Sequence, residues 1–201
     1  MTTQRTASIQ RATSETAIDL TINLDGQGTS TLTTGVGFFE HMLTQIARHG
    51  LVDLTINASG DLHIDDHHTV EDVGIVLGMA LREALGDKSG IARYGDATVP
   101  MDEALVLCAL DFSGRGQAYI DLDIRDSRIG TFATELVEEF FHAVARNAGM
   151  TLHIRSLAGK NAHHVVEGAF KAFGRALRMA LLTTHALSAS QAQKALYDCH
   201  H

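Results

Sequence analysis

Across residues 16–24 the apolar side chains Ile18, Leu20, Ile22 and Leu24 alternate with polar ones, the period-two pattern of a half-buried strand. DGQG at 25–28 has turn chemistry, and TSTLTTG after it resumes an extended pattern. The period then changes. Over 35–50, Phe38, Met42 and Ile46, with Phe39 and Leu43 beside them, recur at helical spacing, and a glycine closes the segment. Residues 51–56 predict a short strand. Residues 65–86 predict a longer helix, with Val70, Val73, Leu77, Leu81 and Ala84 on its apolar face.

The order then returns. Residues 103–112 predict a buried strand, SGRG a turn, and 117–124 a strand alternating through Ala118, Ile120, Leu122 and Ile124. A helix over 132–149 turns Leu136, Phe140 and Val144 inward, 151–154 is a strand, and 163–182 is a helix with Val166, Phe170, Phe173, Leu177 and Leu181 inward. Each half reads strand, strand, helix, strand, helix, so a motif found in one half can be looked for in the other. The halves, 1–90 and 91–185, meet near Pro100 without a low-complexity linker and are expected to form one compact unit. Residues 186–201, where the periodicity has faded, are expected as a frayed tail.

Composition changes the picture little. With 45% hydrophobic and 20% charged residues, a chain of 201 residues has ordinary globular chemistry. The net charge of −8 argues against a nucleic-acid-binding surface, although a few gathered cations can still hold a small anion. Two cysteines, Cys108 and Cys199, cannot make a disulfide framework, which points to a reducing compartment. The opening MTTQRTASIQRATSETAIDL lacks an apolar core of signal-peptide length, and no run is long enough to span a bilayer. A cytoplasmic chain with no membrane partner is expected.

Histidine is the unusual entry: nine of the 12 fall between His41 and His164. His67–Glu71 (HHTVE) and His163–Glu167 (HHVVE) are the same HHxxE pattern, each opening the last helix of its half. Residues i and i+4 share a helical face, so His67 with Glu71, and His163 with Glu167, can close on one ion. His68 and His164 are rotated by about 100° and point elsewhere, which suggests two ions assembled from both halves or from neighbouring chains. Paired imidazoles at a helix N-terminus oppose the macrodipole unless a cation holds them neutral. Nitrogen and carboxylate donors without thiolate suit Mn, Fe, Co, Ni or Zn. Further ligands are expected from the preceding helix of each half: His41 in the first, Glu139 or His142 in the second. His153 reads as a core, supporting or ligand histidine, His49 as a substrate contact or a cap, and His63 as a solvated turn residue. His185, His200 and His201 read as ordinary surface histidines.

At these residues the sequence resembles the imidazoleglycerol-phosphate dehydratase family. IDDHHTVEDVG and GKNAHHVVEGAFKAF match its two signature segments, and TGVGFFEHML, DEAL and DFSGRG add agreement. The resemblance implies an α+β fold of two pseudo-symmetric halves, each a helix pair packed on a four-stranded mixed sheet. It implies a homo-oligomer of 24 subunits built from trimers, with two Mn2+ per site at subunit contacts. It places metal ligands at His41, His67, His68, Glu71, Glu139, His163, His164 and Glu167, the family's usual histidine being Glu139 in this chain. Substrate contacts fall on Glu15, His41, Gln45, His49, Arg93, Arg115 and Lys171, the three cations forming a phosphate clamp. The family's closing Ser-Ser-Lys-Gly segment is replaced here by TTHALSASQAQKALYDCHH, where Ser188, Ser190 and Lys194 lack its spacing.

The implied reaction is Mn-dependent dehydration of imidazoleglycerol phosphate to imidazole acetol phosphate, in histidine biosynthesis. The proton to be removed lies next to the alcohol carbon, and no carbonyl acidifies it. A metal-stabilised imidazolate provides the electron push that expels the hydroxyl. Glu167 and Glu15 are the expected proton carriers, with Glu71 chiefly a ligand. Two other classes fit the same donors: a two-metal phosphoester hydrolase, which would release phosphate, and a catalytically impaired metal-binding homologue.

Overall fold

The computed structural model describes residues 4–183. Its first half runs β1 (Thr6–Ala12), β2 (Thr16–Asn23), β3 (Ser30–Thr33), α1 (Gly37–Gly50), β4 (Asp53–Gly60) and α2 (His67–Leu85). The second half begins with β5 (Tyr94–Met101), β6 (Ala104–Asp111) and β7 (Gln117–Asp121). A small hairpin follows, β8 (Arg128–Ile129) and β9 (Phe132–Ala133), and then α3 (Leu136–Ala148), β10 (Thr151–Ala158) and α4 (Ala162–Leu181). The tail expected over 186–201 lies outside the described residues.

Two four-stranded sheets form, ordered β1-β2-β4-β3 and β5-β6-β10-β7. In each, three strands are antiparallel and the last, β3 or β7, runs parallel to its neighbour. This is the duplicated α+β architecture with mixed sheets that the sequence leads one to expect.

Each four-stranded sheet holds one strand more than the periodicity announces, and the second half adds the β8–β9 hairpin. β1 buries only Ala7 fully, and β5 only Gly95 and Val99, because both are sheet edges whose inward residues are few and small. Pro100 fits β5 for the same reason, since an edge strand can spare an N–H. The helix expected over 132–149 begins only at Leu136, and the strand expected over 117–124 ends at Asp121. Gly130, at φ 61°, turns the β8–β9 hairpin, and Phe132 plugs into the core against Phe38 and Phe39, with ring centroids 5.2 and 6.4 Å away.

The helices cross between the halves. α1 packs on α4 and α2 on α3, while α2 also covers β1 and β2, and α4 covers β5 and β6. Phe39, Phe140, Phe141, Phe170 and Phe173 form the aromatic centre of the core, with Phe141 and Phe170 4.8 Å apart. Burial of each such ring stabilises the fold by roughly 1.5–3 kcal/mol. Gly78 lets α2 approach α3 closely: a Cβ there would lie 2.6 Å from the Val144 carbonyl oxygen. Among the described residues no helix is long and apolar enough to cross a membrane.

Candidate active site

Helices α1 and α4 bring His41, His163 and Glu167 together. One ligand atom from each lies within 4.8 Å of the others. His163 Nε2 is 3.0 Å and His41 Nε2 3.5 Å from Glu167 Oε2. The local sequence explains the placing. Asn161 caps α4, its side-chain oxygen accepting the N–H groups of His163 and His164, so the histidine pair starts the first turn and Glu167 follows one turn later.

Glu167 is buried beside two imidazoles and a lysine. Lys171 donates to its other oxygen, Oε1, at 2.7 Å, and to Met101 Sδ at 3.3 Å. Burial pushes the Glu167 carboxyl up. Lys171, His163 and His41 outweigh it and hold the group below the usual carboxylate range. Further along α1, buried Gln45 donates to the His41 carbonyl at 3.3 Å. His49 is held below its ordinary value by burial, and next by the cations Lys171, Arg48 and Arg175.

The matching group on α2 is more open. His67 Nε2 and Glu71 Oε2 are 3.8 Å apart, both side chains two-fifths exposed. Asp65 accepts the His67 N–H at 2.8 Å and so fixes the helix start. The second histidine of each pair meets a carboxylate through Nδ1: His68 with Asp61 Oδ2 at 2.9 Å, and His164 with Glu103 Oε2 at 2.7 Å. These hydrogen bonds raise both imidazoles above their ordinary value. Glu103 also accepts the backbone N–H groups of Asn161 and Lys160, which together with His164 bring its carboxyl down to about 2.

Glu15 sits at the tip of the β1–β2 hairpin. Buried Asp72 of α2 holds that hairpin, accepting from the Thr16 hydroxyl and pairing with Arg11. Glu15 itself is exposed and lies within the field of His68; hydrogen bonds from Ser14 and Thr13 hold its carboxyl below the ordinary range.

A chain with this duplicated fold and these two helix-borne groups finds close relatives. The family model for imidazoleglycerol-phosphate dehydratase matches residues 34–177. The chain belongs to the imidazoleglycerol-phosphate dehydratase family. Its members are hydro-lyases of histidine biosynthesis. The imidazoleglycerol-phosphate dehydratase of Hydrogenovibrio crunogenus is 63% identical over 177 residues, covering 88% of this chain and 91% of the relative. That of Desulforamulus reducens is 61% identical over 177 residues, covering 88% and 90%. The crystal structure of the Staphylococcus aureus enzyme superposes with a TM-score of 0.81 at 44% identity, covering 89% of this chain and 99% of that one.

The other residues singled out from the sequence fall in several places. Arg93 and Arg115 converge on Asp111, at 2.7 and 3.9 Å, whereas Lys171 is engaged with Glu167. Among the described residues no three-residue group joins Glu139 to His67 and Glu71. Glu139 is exposed on α3, ten residues before Gly149, the left-handed residue that closes that helix; His41 stands ten residues before Leu51, which closes α1 in the same way. Glu139 is thus the counterpart of His41. His142 instead lines a cavity of about 250 Å³ against β7 with Gln117, Tyr119 and Arg146. His153 is not a core residue: it is exposed on the outer face of the second sheet, stacked on Tyr119 at 4.6 Å. His63 is an exposed turn residue, as expected. Ser188, Ser190, Lys194, His185, His200, His201 and Cys199 lie outside the described residues. Cys108 is buried, and burial pushes its thiol up.

Sequence reasoning missed Asp61, Glu103, Asp72 and Arg175. DEAL carried Glu103 in plain view, but nothing in its spacing tied it to a histidine 61 residues later.

Proposed function

We propose that this chain dehydrates imidazoleglycerol phosphate to imidazole acetol phosphate with two Mn2+ per site, in the cytoplasm, as one step of histidine biosynthesis. The observation that carries the reading is the His41, His163 and Glu167 group, three nitrogen and oxygen donors within 4.8 Å and no thiolate. That donor set fits a borderline or hard divalent ion. His41, His163 and Glu167 would hold one ion and His67, Glu71 and Glu139 the other, with His68 and His164 completing the shells across chain contacts. When bound, the ions supply Lewis acidity toward the imidazole nitrogens and hydroxyls of the substrate.

The chain's own groups supply the rest. Glu167, ionised and part of the ligand group, is also the proposed proton carrier; Lys171, on Oε1 at 2.7 Å, keeps the carboxylate oriented. Glu15, on an exposed hairpin tip near His68, is placed to handle the second proton, and Glu71 serves as a ligand. Gln45 and His49 extend the same face of α1. Arg93, Arg115 and Lys171 are the phosphate contacts in this reading, and Asp111 keeps the two arginines side by side until an anion replaces it.

The open α2 group supports a site finished by another copy, as does the second sheet's outer face, where Tyr94 and Tyr119 are more than half exposed. A 24-subunit homo-oligomer built from trimers is proposed on the family resemblance, with the halves 1–90 and 91–185 acting as one unit through their crossed helices. Removal of the metal should then disrupt the particle. The test is an assay of metal-stripped protein on imidazoleglycerol phosphate with and without Mn2+, reading the ketone product and free phosphate. Ketone formed only with Mn2+ is expected. Phosphate without ketone would instead establish a hydrolase, and no product from Mn-loaded protein an impaired homologue.

A further inference from the structure

The duplication sets up a division of labour that the two halves solve differently. Glu15 and Glu103 occupy the same place in the fold, the tip of the hairpin leading into the second strand, after β1 and after β5 respectively. In the second half Glu103 is fully engaged. It takes the Nδ1 position of His164 at 2.7 Å and anchors the hairpin to α4 through the N–H groups of Asn161 and Lys160, at 2.8 and 3.2 Å. In the first half both tasks pass to other residues. Asp72 anchors the hairpin through Thr16 and Arg11, and Asp61 takes the Nδ1 position of His68.

The second half cannot copy this arrangement. The residue that follows its last strand is Gly159, where the first half has Asp61, and the residue after its Glu167 is Gly168, where the first half has Asp72. Neither can accept a hydrogen bond through its side chain. Asp61, for its part, is four-fifths covered, and among the described residues His68 is its one side-chain partner, reached by both oxygens at 2.9 and 3.2 Å. A carboxylate that gives up water for one imidazole is there for that imidazole.

We propose that Asp61 and Glu103 are the positioning carboxylates of this site: each fixes the proton of its histidine on Nδ1 and turns the Nε2 lone pair toward a metal ion, and the use of Asp61 is what releases Glu15 for substrate. An imidazole whose Nδ1–H is held by a carboxylate is a better-oriented and more basic ligand at Nε2. His164 Nε2 lies 3.5 Å from exposed Asp102 Oδ2, a partner that an ion displaces. The inference rests on the reading of His68 and His164 as metal ligands.

Calorimetric titration of Mn2+ into metal-stripped full-length protein tests it, alongside the thermal midpoint of the same metal-free samples. Asp61→Ala should weaken Mn2+ binding by about 10- to 100-fold with the metal-free midpoint unchanged. Asp61→Asn, which keeps an acceptor for Nδ1–H, should recover most of the loss. Glu103→Ala should lose both affinity and midpoint, because it also strips two backbone N–H groups of their acceptor. Glu15→Gln should bind Mn2+ as the unmodified protein does while turnover falls. Unchanged affinity in Asp61→Ala, or a loss matched by a lower metal-free midpoint, overturns the positioning role. A Glu15→Gln loss of affinity equal to that of Asp61→Ala overturns the division of labour. If the unmodified protein binds no divalent metal, the functional reading falls and carries this inference with it.

Discussion

Along α1 and α4, ligand atoms of His41, His163 and Glu167 already stand within 4.8 Å of one another, whereas along α2 and α3, His67 and Glu71 are 3.8 Å apart and, among the described residues, Glu139 joins no such group. The surroundings differ in the same sense. Past Glu167, α4 continues with Lys171 and Arg175, whereas past Glu71, α2 continues with Ile75 and Met79 at the matching positions. One helix pair therefore presents its imidazole and carboxylate groups beside fixed positive charge, and the other presents them beside the apolar residues Ile75 and Met79. Duplication of a fold copies the frame and leaves each copy free to be finished differently.

The largest expected effect breaks the first of these groups. Glu167→Gln should keep the fold and reduce kcat by about 10²- to 10⁴-fold, the usual worth of a positioned acid or base; near-normal turnover would remove Glu167 from the chemistry. Next comes the open group. Glu139→Ala should lose one of two Mn2+ ions per chain by metal analysis, and His142→Ala should keep both; the reverse result would move the ligand one turn along α3.

Packing of the two helix pairs can be compared directly. A Cβ at Gly78 would lie 2.6 Å from the Val144 carbonyl oxygen, while one at Gly174 would lie 3.1 Å from the Gly50 nitrogen and Ile46 oxygen. Gly78→Ala should thus cost about 1–3 kcal/mol by thermal or denaturant unfolding, and Gly174→Ala less. Equal costs would show that α1 and α4 yield no more readily than α2 and α3.

The smallest effect concerns the loops between the second and third strands. In the first half Asp53 holds that loop, accepting from the N–H groups of Gln27 and Thr29 and from the Thr29 hydroxyl. These bonds bring its carboxyl from 3.8 down to about 2. In the second half Ser113 and Thr151, whose hydroxyls are 2.8 Å apart, do the same work without a titrating group. A depressed carboxyl stabilises the fold above its ordinary value and loses that contribution as the pH falls toward its folded value. Stability should therefore decline between about pH 3.8 and about pH 2 through Asp53, and Asp53→Asn should flatten that part of the acid-unfolding curve.

Much of this was legible in the chain because it depends on short-range pattern. Helical spacing located all four helices to within a few residues, apart from the start of α3, and the repeated HHxxE identified the two helix starts that carry the His–Glu pairs. What stayed hidden depends on neighbours distant in sequence. β1 and β5 turn small or polar residues such as Ala7, Arg11, Gly95 and Ala97 to the inner side, so their alternation is weak and only the sheet reveals them. Phe132 reads as helix by its apolar character, yet Gly130 turns the chain before it. Asp61 and Glu103 are ordinary carboxylates in an acidic chain until the fold sets them against His68 and His164. Lys171 was suggested as a substrate contact only by resemblance, and its ion pair with Glu167 was not legible at all.

The claim on which the rest depends is that His41, His163 and Glu167 hold a metal ion. Diffraction from crystals of the Mn-loaded protein, recorded on both sides of the manganese absorption edge, tests it directly. An anomalous peak bounded by these three side chains, with a further ligand from a neighbouring copy, is the predicted result. Anomalous peaks confined to other residues, with this group left bare in a fully loaded protein, would contradict it.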